Sequence, residues 1–116
     1  MTENDKAVLV YATYPDADAA RAAATYLVEA ELAGCVNILP GMTAVYRWSG
    51  AVRMESECVL IAKTRRGLAD RLIAEARSRH PYDTPAFLVI PVVGGSEPYI
   101  AWLMSGLQGA DDGDVR

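Results

Sequence analysis

The sequence predicts an α+β domain in which two β-α-β halves build one four-stranded antiparallel sheet, with both main helices on a single face. Three observations carry this reading. Extended and helical segments alternate in the order β-α-β-β-α-β. Ser49-Gly50 joins the middle two strands as a tight hairpin, where a doubly wound parallel fold would need a crossover helix. The stretch Val59 to Ala62 is apolar on both sides of the third strand, which calls for cover on both faces of the sheet.

Each element follows from its residues. Ala7 to Tyr14 is rich in Val, Leu and Tyr and reads as a buried strand, ended by Pro15 and Asp16. From Ala17 to Ala33 the chain is rich in alanine, and Ala20, Ala23, Ala24, Leu27 and Ala30 recur at helical spacing. Asp16 is placed to cap this helix, and Gly34 is the expected stop, free to turn left-handed. Cys35 to Leu39 is extended, Pro40-Gly41 bends it, and Met42 to Trp48 continues to the tip at Ser49-Gly50. Glu55 to Lys63 forms the core of the return arm. A second helix runs from Arg65 or Gly67 to Arg79, with Leu68, Leu72, Ile73 and Ala76 inward and Pro81 forbidding continuation. Ala86 to Val92 is the last strand, begun by Pro85. After Gly94-Gly95, Ser96 opens a short third helix along which Tyr99, Trp102, Leu103 and Leu107 are expected to pack.

The 116 residues suit one domain, 1–116, with 52% hydrophobic and 22% charged residues and frayed ends expected over 1–6 and 108–116. The net charge of -4 comes from the ends, where Glu3, Asp5, Asp111, Asp112 and Asp114 gather, while the body is balanced. Arg65-Arg66 and Arg77/Arg79 are too sparse to track phosphates, so nucleic acid is not an expected partner. There is no secretory leader pattern and no apolar run long enough for a bilayer, so the cytoplasm is the expected compartment. Cys35 and Cys58 stand far apart in apolar runs and read as reduced core residues. The helices leave one sheet face unused, and self-association is the leading explanation.

No complete catalytic set is visible. The glycines do not form a phosphate-binding pattern. His80, the only histidine, follows the second helix and is either a metal ligand or a ring that closes the helix by bonding to nearby backbone. Cys35, Cys58 and His80 are the soft donors copper or zinc would favour, yet one histidine cannot complete a tetrahedral site alone. Glu57, Lys63, Arg65 and Tyr82 are the residues expected to line a cleft. Tyr46 and Trp48 share one side of a strand near the hairpin tip, with Arg47 opposite, and are expected to anchor a subunit interface.

In order and in composition, residues 7–107 resemble the CutA, or divalent-cation-tolerance, family. The resemblance is carried by Ala33-Gly34-Cys35-Val36-Asn37-Ile38-Leu39-Pro40-Gly41-Met42-Thr43-Ala44-Val45-Tyr46-Arg47-Trp48 and Gly50. It continues through Glu55, Glu57, Leu60-Ile61-Ala62-Lys63-Thr64, His80-Pro81-Tyr82-Asp83-Thr84-Pro85 and Tyr99-Ile100-Ala101-Trp102-Leu103. It implies a ferredoxin-like β-α-β-β-α-β sandwich with a long central hairpin and a short C-terminal helix, assembled as a homotrimer whose hairpins cross between subunits. It also implies a non-catalytic role in tolerance of copper and other divalent ions, with no cofactor required and His80 as the metal-ligand candidate. Architectural likeness to PII-type signalling proteins implies the alternative of a small-ligand sensor. Two departures stand out: Ala12 and Arg79 occupy positions where some members carry a cysteine and a histidine.

Overall fold

The computed structural model describes residues 2–109 and bears out the α+β, ferredoxin-like reading. The strands are β1 (Ala7–Tyr14), β2 (Cys35–Trp48), β3 (Ala51–Arg65) and β4 (Phe87–Pro91); the helices are α1 (Ala17–Glu29), α2 (Arg66–Ser78) and α3 (Glu97–Ser105). The sheet order is β2-β3-β1-β4, with every neighbouring pair antiparallel.

Register decides which side chains meet the helices. Val8, Val10, Ala12 and Tyr14 of β1 stand opposite Thr64, Ala62, Leu60 and Cys58 of β3, and all eight are buried. Ala20, Ala24 and Leu27 from α1, with Leu68, Ala69, Leu72 and Ala76 from α2, close over them. No described element covers the other face, where Leu39, Leu88 and Ile90 are exposed. A clamp ties the two helices together, since the Tyr26 hydroxyl donates to Glu75 at 2.5 Å and the Arg79 guanidinium lies 3.7 Å from the Tyr26 ring.

Several boundaries differ from the sequence expectation. Asp16 does cap α1, accepting from the Ala19 amide at 2.8 Å. The helix nevertheless ends at Glu29, and the left-handed residue is Glu31 (φ 61), not Gly34. The Leu32 and Ala33 amides fold back onto the Leu27 carbonyl, which ends the helix without a glycine. Gly34 serves another purpose: a Cβ there would collide with the Leu103 carbonyl of α3.

Within the stretch expected to fray, residues 2–6 are described and carry a single 3-10 turn, Glu3–Asp5, packed near the start of α2, with the Lys6 carbonyl accepting from the Arg66 amide at 2.8 Å. At the other end, Gln108 is hydrogen-bonded to the body of the domain. Its amide group donates to the Ala30 carbonyl and accepts from Arg71, both at 2.7 Å, and its backbone N–H donates to Glu31 at 2.8 Å. The rest of the expected acidic tail, 110–116, lies outside the described residues. Leu103 in α3 and Leu107 just beyond its end are buried as expected, whereas Tyr99 and Trp102 turn outward.

The β2–β3 hairpin is the longest feature. Ser49 (φ 51) and Gly50 (φ 78) both adopt positive φ, the two-residue turn that matches the twist of paired strands. Between Leu39 and Met42 the register slips, because β2 carries one residue more than β3 at that point. Gly41, at φ 78, takes the left-handed conformation the bulge requires. The molecule extends 53 Å along its long axis against 26 and 22 Å across, and a strand of 14 residues at about 3.4 Å each accounts for that length.

Candidate functional site, the hairpin root and the outer sheet face

The sequence-predicted residues fall into three separate places. At the root of the hairpin, Tyr82 from the loop after α2 donates its hydroxyl to Glu57 of β3 at 2.8 Å. Two residues along the same face of β3, Glu55 accepts from the hydroxyl of Tyr46 on β2. Burial and the Glu57 carboxylate push the Tyr82 phenol up to about 12, and the bond to Glu55 raises that of Tyr46. Both phenols are therefore held as donors across ordinary pH.

His80 stands behind this root in an aromatic cluster. Its ring stacks on Tyr14 at 4.3 Å, with Tyr82 tilted at 4.9 Å and Phe87 edge-on at 5.9 Å. The Thr13 carbonyl can only accept, so the Nε2 facing it at 2.8 Å carries the hydrogen. Nδ1 accepts the Tyr82 backbone N–H at 3.1 Å. Both nitrogens are occupied. Coordination of a metal at either nitrogen of His80 would break a hydrogen bond that fixes the 80–86 loop to β1 or to the ring.

Lys63 lies six residues along β3 from Glu57 and serves a different neighbourhood. Its ammonium donates to the Tyr99 hydroxyl of α3 at 2.9 Å, a bond that raises the amine above its ordinary value. Tyr99 and Trp102, with rings 5.7 Å apart, form an exposed aromatic pair beside it. Arg65 is elsewhere again: its guanidinium donates to the Gln108 carbonyl at 3.2 Å and reaches the Asn4 carbonyl at 3.4 Å, pinning both ends of the described chain to β3. Within one subunit the four residues expected to line a cleft between subunits do not form a single cluster. Only Glu57 and Tyr82 meet.

At the tip, Tyr46 and Trp48 share one face and Arg47 takes the other, opposite Val52. Sequence reasoning missed the link from Tyr46 to Glu55. Counting back from the Ser49-Gly50 turn would have found it, since that turn places Tyr46 opposite Arg53 and diagonal to Glu55.

The donor set does not fit a dedicated copper centre within one subunit. Copper prefers imidazole and thiolate. The imidazole is occupied, Cys35 stands opposite the cationic Lys63, and burial raises the thiol of Cys58 and so disfavours its thiolate. Among the described residues no three His, Cys, Asp or Glu side chains converge. No described helix is long and apolar enough to cross a membrane.

Comparison with known proteins adds a second, independent line. Residues 8–106 match the family profile described as CutA1 divalent ion tolerance protein. The divalent-cation tolerance protein CutA of Pectobacterium atrosepticum is 38% identical over 102 residues, which cover 88% of this chain and 93% of that protein. Protein CutA, chloroplastic, of Arabidopsis thaliana is 42% identical over 106 residues, 89% of this chain. The chain spans only 58% of that relative and 54% of the rice chloroplast relative. The crystal structure of CutA1 from Oryza sativa superposes with a TM-score of 0.88 at 35% identity, over 93% of this chain and 99% of that one.

Proposed function

The chain belongs to the CutA1 divalent ion tolerance family, and from that premise we propose that it works as a homotrimeric, non-catalytic, cytoplasmic protein of divalent-ion tolerance, copper included. One observation carries the assembly. Beyond the bulge, the hairpin exposes large apolar side chains on both faces: Val45 (59%), Val52 (66%) and Met54 (70%) on one, Trp48 (60%) on the other. No described element of the same chain covers them. An arm of this length and composition is an aggregation hazard unless other copies cover it. Trp48 and Tyr46 supply aromatic anchors on one side, and Arg47 supplies a charge for a partner carboxylate on the other.

The non-catalytic reading is supported by the state of the polar groups. His80 has no free nitrogen to act as a base, and Lys63 is held as a cation by Tyr99. The cytoplasmic reading is supported by two free cysteines, Cys35 and Cys58. Within one subunit Glu57 and Tyr82 meet while Lys63 and Arg65 bond elsewhere, so the alternative small-ligand sensor reading rests on a cleft formed between subunits. Tolerance is accordingly attributed to the assembled protein rather than to a copper centre inside one subunit.

Light scattering coupled to size exclusion tests the assembly. The expected mass is three times 12.5 kDa. A monomer at micromolar concentration would overturn the proposal.

A further inference from the structure

His80 makes two hydrogen bonds that only its neutral ring can hold together. With Nε2–H donating to Thr13, Nδ1 must be bare to receive the Tyr82 amide. A second proton on the ring would aim Nδ1–H at that N–H. Two donors cannot share the contact, so the Tyr82 amide must withdraw. Tyr82 is also the residue whose hydroxyl holds Glu57, opposite Met42 in the first pair beyond the bulge. The loop that would move, 80–86, belongs to no helix or strand.

We infer that His80 is a proton-sensitive catch for the hairpin: when its ring takes up a proton, Tyr82 turns away, Glu57 is released, and the root of the β2–β3 arm loosens. The groups around the ring are consistent with this. Tyr14 stacks on it from β1, and Cys58 of β3 stands opposite Tyr14. Glu57 is linked to it through Tyr82. Arg79, next in sequence, turns its guanidinium to Tyr26 on α1, and Asp83 lies in the same loop as Tyr82. None of these side chains hydrogen-bonds the ring in the described structure, so no carboxylate is in place to hold the added proton in the same geometry. The inference does not depend on the number of subunits.

Amide and imidazole NMR spectra of the full chain, followed from about pH 8 down to about pH 5, span the range in which histidine charges. The Tyr82 amide is expected to shift together with the His80 ring, and the Met42 and Glu57 amides to shift with the same midpoint. In His80→Asn the side-chain carbonyl can still accept the Tyr82 amide but takes up no proton, and the joint shift is lost. In Tyr82→Phe the amide of residue 82 still follows the ring while Met42 and Glu57 fall silent. A His80 ring that titrates while the Tyr82 amide stays still would overturn the inference. So would a joint shift that survives in His80→Asn, which would assign it to the Glu55 and Glu57 carboxylates.

Discussion

Gly34 offers the sharpest test of how the two ends of the domain are joined, because two physical reasons for a glycine there predict different outcomes. If it were a left-handed helix stop, its value would lie in backbone freedom. In the structure that conformation belongs to Glu31, three residues earlier. What Gly34 provides is space: an added Cβ would meet the Leu103 carbonyl oxygen first and the Leu103 Cδ1 at 2.9 Å next. Leu103 is buried, so α3 cannot yield without opening its contact with the start of β2. Overpacking of this kind costs about 1 to 3 kcal/mol. Gly34→Ala is therefore expected to lose that much stability in denaturant melts at a fixed protomer concentration. Because the nearest atom is backbone, trimming Leu103 to Ala in the same chain should not restore it. Glu31→Gly should act in the opposite sense. It relieves a left-handed residue worth roughly 1 to 2 kcal/mol at an entropic cost of roughly 0.5 to 1, for a net gain of about 0.5 to 1 kcal/mol. A Gly34→Ala protein as stable as its parent, together with a destabilised Glu31→Gly, would refute the reasoning.

Three further outcomes are expected. Thr64 is fully buried and donates to the Leu32 carbonyl at 2.7 Å, so Thr64→Val should cost about 1 to 3 kcal/mol by leaving that carbonyl unpaired, as read from urea unfolding. Calorimetric titration with Cu(II) should give the same heats for the parent and for His80→Ala, because both ring nitrogens are already bonded; a saturable site lost in the variant would contradict this. Tyr14 and Tyr82 are both pushed up to about 12 from an unfolded value near 10. The folded state then holds more protons than the unfolded one between those values, so their contribution is complete below about pH 10 and is lost as pH rises toward 12. Tyrosinate absorbance should show these two ionising last, and Tyr82→Phe should flatten the alkaline loss of stability.

Local chemistry made much of the fold legible. The Val- and Tyr-rich run Ala7–Tyr14, the Asp16 cap and the Ser49-Gly50 tip each depend on near neighbours, and each stands where the sequence placed it. The end of α1 was not legible from nearby residues, because Glu31 is held by the Gln108 backbone and Leu32 by Thr64, groups far along the chain. The site was obscured for the same reason. Arg65 looked like a free cation in a cleft, but carbonyls 61 and 43 residues away claim it. His80 looked like a donor awaiting a metal, and its partner is a carbonyl 67 residues distant. Residue type indicated that these side chains were polar and important. Only the topology revealed which ones had already found partners.

The slipped register between Leu39 and Met42 also makes the arm a separable unit of length. Up to the bulge, Val36 and Ile38 of β2 are fixed against the core beneath the helices. Past it, apart from the Tyr82–Glu57 bond at the root, the two arms answer to each other and to the turn. Residues added in matched pairs, two to each arm, would keep every existing side chain on its present face and lengthen the arm by about 7 Å. A single unmatched residue would instead turn over everything between it and the tip. The reach of this protein toward its neighbours can therefore be tuned in discrete steps without disturbing the body from which the arm grows.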